Sequence, residues 1–178
     1  MRTRRRKGTF LRLGFFVAVA AAVLAGGYAR GQSRTSESGT LASRLLGTWQ
    51  VLELVDTDPD GKIHYPYGKQ PKGYIVYDRT GRLHVQVMRT PPTRPFAAGD
   101  QAGTEAEVRA AYDGYVAYFG TYEVDEVHGQ VIHRVEGSLM PSYTGTDQPR
   151  PIKVVGDELV IENRTLEGHF YRRLRRVK

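Results

Sequence analysis

Between Thr121 and Ile161 the chain alternates apolar and polar side chains with a period of two, and tight turns break the pattern. A helix cannot present such a pattern as one apolar face, so it commits this part of the chain to strands. The clearest run, Val131 to Leu139, puts Val131, His133, Val135 and Leu139 on one face and Ile132, Arg134, Glu136 and Ser138 on the other. His133 is the strongly polar member of the more apolar face. In the next run Gln148, Arg150, Ile152 and Val154 share a parity, which aligns an amide and a guanidinium with branched apolar side chains. A few polar groups set among apolar ones is the composition of a ligand pocket.

The rest of the chain reads as the wall around that pocket. Leu45 to Val55 is a strand entered through a short turn of helix, and Asp58-Pro59-Asp60-Gly61 is a turn. Tyr74–Tyr77 and Arg82–Met88 form a hairpin across Asp78–Gly81. Pro91 to Gly103 is a long loop with three prolines, expected at the mouth of the pocket with Arg94 and Phe96 as rim contacts. Thr104 and Glu107 have the spacing of a capping box, which starts a helix expected to run to about Tyr118 unless Gly114 ends it early. Its small residues, Ala106, Ala110 and Ala111, suit it to lie on a sheet. Strands over Thr121–Glu126, Gln130–Leu139, Arg150–Val155, Glu158–Asn163 and Gly168–Val177 follow. Eight or nine short strands with one inserted helix predict an all-β fold, an antiparallel barrel whose closure removes exposed edges and leaves a lumen.

The net charge of +7 does not point to nucleic acid. Arg2, Arg4, Arg5, Arg6, Lys7 and Arg12 hold six of the 26 basic residues; without them 20 basic residues face 19 acidic ones, a net of +1. Those six precede or border an apolar run, Leu13 to Tyr28, that ends in small residues. This is the layout of a secretory signal over residues 1–31, and it predicts an exported protein, periplasmic or secreted. If uncleaved, the same segment is the expected membrane contact, although the run is short for a span. Residues 32–40 are polar and read as a flexible linker, and residues 41–178 as one domain, expected to act as a monomer. The chain has no cysteine, which excludes disulfides, thiolate metal sites and a cysteine nucleophile.

Gly47-Thr48-Trp49 resembles the Gly-x-Trp of lipocalins, and a longer ordered set resembles the bacterial and fungal lipocalin-like domain family, a calycin-type β-barrel. The set comprises Leu46–Trp49, His64–Gly68 with Gly73–Tyr77, Gly81–Leu83 with Val85–Arg89, Tyr118–Tyr122, His133–Pro141 and Gly145–Arg150. The resemblance implies a barrel with a cavity and assigns no activity. This chain departs from it at Ser142-Tyr143, where the family often has Asn-Trp, and at Tyr171, where it often has tryptophan. The lipocalin tryptophan packs under a basic residue of the last strand, which implies Arg172 or Arg173 over Trp49.

The expected ligand-binding residues are His133, Arg150, Gln148, Tyr118, Tyr122 and Gln86. Tyr118 and Tyr122 enter because they flank the junction from helix to strand. Alternation alone leaves His84 and Gln86 outside, opposite Leu83, Val85 and Val87, whereas the resemblance favours Gln86 inside. Arg150 needs a partner if buried: either Glu123 or Glu136 across the barrel, or an acidic ligand. The five histidines show no paired metal-ligand spacing, and no metal or cofactor is expected, although a lone lumen histidine can ligate haem in related barrels. The leading expectation is a protein that binds a small apolar or amphipathic molecule. The alternatives are an isomerase or cyclase with His133 as acid or base, and a structural envelope protein with a filled core.

Overall fold

The computed structural model describes residues 39–178, so the leader expected over 1–31 and most of the linker over 32–40 lie outside the described residues. A short helix α1 (Leu41–Leu45) leads into β1 (Gly47–Thr57), β2 (Ile63–His64), β3 (Lys72–Tyr77) and β4 (Arg82–Met88). Helix α2 (Glu105–Asp113) precedes β5 (Tyr115–Asp125) and β6 (Gln130–Ser138). A 3-10 turn (Pro141–Tyr143) then connects to β7 (Asp147–Val155), β8 (Glu158–Thr165) and β9 (Gly168–Arg176). From β3 onward each strand pairs antiparallel with the next. β1 pairs with β3 on one side and with β9 on the other, which closes an eight-stranded barrel; β2 adds two residues at the end of β1.

Period-two alternation fills the interior. Leu83, Val85 and Val87 of β4 are buried while Arg82, His84 and Gln86 between them are exposed. Val131, His133 and Val135 of β6 are buried as their parity requires, but Leu139 lies past the end of the strand and is 39% exposed. Two bulges adjust the parity elsewhere. In β1, Val51 faces Leu174 and the next pair is Glu53 with Arg173, so Leu52 is the extra residue and Leu54 turns inward. In β6 the register passes from Gly137 opposite Phe119 to Val135 opposite Gly120, leaving Glu136 as the extra residue. Gly120 is required there, because a Cβ on it would sit 1.9 Å from the Arg134 carbonyl oxygen.

α1 plugs one end. The Thr40 side chain caps it, and the Glu126 carboxylate accepts the Leu41 and Ala42 N–H groups at 2.9 and 2.8 Å. Leu41 and Leu45 are buried, and the Trp49 indole N–H donates to the Leu45 carbonyl at 2.7 Å. The basic group over Trp49 is Arg176, 4.2 Å from the ring, in place of the expected Arg172 or Arg173. Register decides this: Trp49 lies directly opposite Arg176 in the β1–β9 ladder. The Arg176 guanidinium also donates to the Leu46 and Arg44 carbonyls, tying the end of the last strand to the plug.

α2 carries the expected capping box between Thr104 and Glu107, but stops at Asp113 with Gly114 as its cap, five residues short of Tyr118. Tyr115 and Tyr118 are strand residues, where aromatic side chains pack well on a pleated surface. None of the α2 residues is buried, so the helix does not press a flat face on the sheet. It holds the long loop instead: Glu107 accepts the Ala97 N–H at 2.9 Å and the Thr93 hydroxyl donates to the Ala110 carbonyl at 3.3 Å.

Candidate ligand-binding site

A cavity of about 110 Å³ lies in the lumen, toward the end opposite the plug. Its apolar wall comes from inward positions of successive strands: Val51 and Leu54, Ile75, Val85 and Val87, Val116, Ile161 and Leu174. Its polar members are Tyr67, Tyr118, His133, Tyr143, Arg150 and Arg172, with Phe170 and Met140 between them.

His133 anchors the polar side without exposing itself. It is 0% exposed, and both ring nitrogens are engaged: the Tyr77 hydroxyl lies 2.8 Å from Nε2 and the Tyr118 hydroxyl 3.0 Å from Nδ1. Burial, with a smaller repulsion from Arg150, lowers the His133 pKa to about 3, so the imidazole is neutral. Burial pushes the Tyr118 hydroxyl up to about 12 against the opposing pull of Arg150, and raises Tyr77 well above its ordinary value. All three groups are therefore uncharged at neutral pH.

The cations are arranged differently. Arg172 stacks on Phe170 at 3.6 Å, forms an ion pair with Asp56 at 2.7 Å, and donates to the Val55 carbonyl at 2.8 Å. Arg150 has no carboxylate within ion-pair distance among the described residues. Its guanidinium donates to the Gln148 side-chain carbonyl at 3.1 Å and the Pro149 carbonyl at 3.2 Å, and sits 5.3 Å from the Phe170 ring. The two expected acidic partners are used elsewhere: Glu136 pairs with Arg82 at 2.8 Å and Glu123 with Arg134 at 2.6 Å, both on the outer face.

Of the residues expected at the site, the barrel brings His133, Arg150 and Tyr118 into the cavity wall. Gln148 stands opposite His133 and supports Arg150 from behind. Tyr122 shares the inward face but is spent on structure: its hydroxyl donates to the Asp78 carbonyl at 2.8 Å and its ring packs edge-on against Tyr77 at 5.0 Å. Gln86 is corrected to the outside, exposed between Val85 and Val87, with its amide oxygen 3.5 Å from the Tyr115 hydroxyl. Arg94 and Phe96 do not line the cavity; Phe96 packs against Gly103 in its own loop. The rim is formed by Tyr67 of the β2–β3 loop and by Met140 and Tyr143 of the β6–β7 connection. Arg172, expected only as a partner for Trp49, is a further residue of the cavity wall. Its parity with Phe170 and Leu174 is the signal that marks it as inward. Among the described residues no three His, Asp or Glu side chains converge on a point that could hold a metal ion.

The profile of the lipocalin-like domain family matches residues 46–170, which is most of the chain. The chain belongs to the lipocalin-like domain family. It is 35% identical, over 85 residues, to the 4′-hydroxy-3′-methoxypropiophenone carrier protein ppsC of Aspergillus oryzae, a match covering 43% of this chain and 75% of that one. Among solved structures it is similar to a redesigned β-barrel, with a TM-score of 0.39 and 14% identity over 80% of this chain and all of the other.

Proposed function

We propose that this lipocalin-like protein is a carrier that holds a small, mostly apolar molecule in its lumen, with a carbonyl or carboxylate end turned toward Arg150. The observation that carries the reading is Arg150 itself: a partly buried guanidinium in an apolar cavity wall, with no carboxylate partner among the described residues. Desolvated guanidinium favours an anionic or strongly polarised oxygen. At about 110 Å³ the cavity is smaller than the roughly 150 Å³ that accommodates benzene, which bounds the enclosed part of the ligand to about one ring. The relative named a carrier for a propiophenone, one substituted ring bearing a ketone, supports the same class. His133 is unsuited to acid–base chemistry, because both of its nitrogens are occupied and it is 0% exposed. The basic start and apolar run of residues 1–31 support export of the mature domain, which N-terminal sequencing of the protein from its host would test.

The binding test compares wild type with Arg150→Met against substituted benzoates and neutral single-ring compounds of matched size. Loss of about 2–4 kcal/mol for the benzoates, with little change for the neutral compounds, is expected. Equal benzoate affinity in both proteins, with the fold intact by circular dichroism, would make Arg150 a structural strut.

A further inference from the structure

We infer that Tyr77 and His133 together lock the Tyr118 hydroxyl as a hydrogen-bond donor aimed into the lumen, so that the site selects ligands presenting an acceptor oxygen. This rests on the lumen being the binding site. Tyr77 is 0% exposed, and among the described residues its hydroxyl has one partner, His133 Nε2 at 2.8 Å. A neutral imidazole carries one N–H and one bare nitrogen, so one tyrosine must donate to it and the other accept. If Nε2 held the proton, the Tyr77 oxygen would accept and its own O–H would be stranded in the core, at the full desolvation penalty of an unmet donor. With Nε2 bare, Tyr77 donates, Nδ1–H donates to the Tyr118 oxygen 3.0 Å away, and the Tyr118 O–H is left free.

Tyr118 differs from Tyr77 in one decisive respect: it lines the cavity, where water or a ligand can take its proton. The proton order is thus Tyr77 to His133 to Tyr118 to ligand. Arg150, on the same wall, supplies N–H donors only, so the polar end of the lumen offers donors from two residues. Tyr143, edge-on to Tyr118 with ring centroids 6.0 Å apart, closes the site beside them. A ketone, aldehyde or carboxylate oxygen satisfies this end, whereas a hydrocarbon leaves the Tyr118 O–H unmet and gives the guanidinium nothing beyond its bonds to Gln148 and Pro149. Tyr77 and His133 act through Tyr118 and are positioning residues.

Two measurements test this on the full-length protein. The first is nitrogen-15 NMR of labelled histidine, with the His133 signal assigned by its loss in His133→Gln. It should show a bare Nε2 and a protonated Nδ1 at neutral pH without ligand. A protonated Nε2, or a charged ring, overturns the inference. The second compares acetophenone with α-methylstyrene, which replaces the C=O by C=CH₂ at nearly the same shape. The ratio of their affinities should fall roughly tenfold in Tyr118→Phe, the worth of one hydrogen bond to the ligand. Tyr77→Phe leaves Nε2 unpartnered in either tautomer, so the lock is lost, both forms become accessible and the ratio should move the same way by less; an unmoved ratio there removes Tyr77 from the relay. If both probes bind and Tyr118→Phe leaves the ratio unchanged, the donor assignment falls and the lumen reading stands. If neither probe binds wild type, the lumen reading falls and takes the ligand class with it.

Discussion

A neutral imidazole sealed in the core makes this barrel sensitive to mild acid, below the ordinary histidine pKa of 6.5 and above the carboxylate range. In the unfolded chain His133 binds a proton near pH 6.5, whereas in the fold it does so near 3. Between those values the unfolded state holds the extra proton, so stability falls as the pH falls. The contribution is fully present above pH 6.5 and is lost progressively down to the folded value. Each pH unit in that window is worth about 1.4 kcal/mol, so the step from pH 7 to pH 5 should remove about 2 kcal/mol. The charged group facing His133 is Arg150, which adds to the penalty, and its other polar neighbours Tyr77 and Tyr118 are neutral there. The assay is urea unfolding at several pH values, followed by fluorescence of Trp49, the only tryptophan, buried beside the plug. His133→Gln is the reference, because its amide can donate and accept between the two tyrosines but does not titrate. Carboxylates held low by their hydrogen bonds, such as Asp125 at about 2, are common to both proteins and cancel in the difference. The wild-type advantage over His133→Gln should shrink by about 2 kcal/mol from pH 7 to pH 5. Parallel stability curves would refute the reasoning and mean that the ring is hydrated in the fold.

Three further outcomes are expected. Arg176→Met should cost about 2–4 kcal/mol in urea unfolding and shift Trp49 emission to the red, because it removes the stacked cation and its hydrogen bonds to the Leu46 and Arg44 carbonyls; an unchanged midpoint would show that the plug is held by packing alone. Gly120→Val should destabilise by more than about 3 kcal/mol or prevent soluble expression, since even a Cβ collides with the Arg134 carbonyl; a normal unfolding midpoint would contradict the bulge. Gln86→Ala should leave ligand affinity unchanged and move stability by less than about 0.5 kcal/mol, as for other exposed positions; a clear loss of binding would place Gln86 inside the lumen.

The local rules are legible in the residues alone. Alternation at Val131-His133-Val135 and Leu83-Val85-Val87 decides which side chains enter the core, because a strand's side chains must alternate. Thr104 and Glu107 define a helix start because the capping box closes within four residues. Parity also carried Arg150 and His133 to one face, and would have carried Arg172 had it been followed through the basic run. Which residues meet across the barrel depends on the assembled fold. The bulge at Leu52 reverses the parity of β1, and the β1–β9 register then gives Trp49 to Arg176 and leaves Arg172 in the lumen with Asp56 and Phe170. Tyr77 and Tyr118 reach His133 from positions 56 and 15 residues away in the chain. Register and closure are sums over many non-local backbone hydrogen bonds, and a one-residue slip in either exchanges every partner while leaving the local pattern intact.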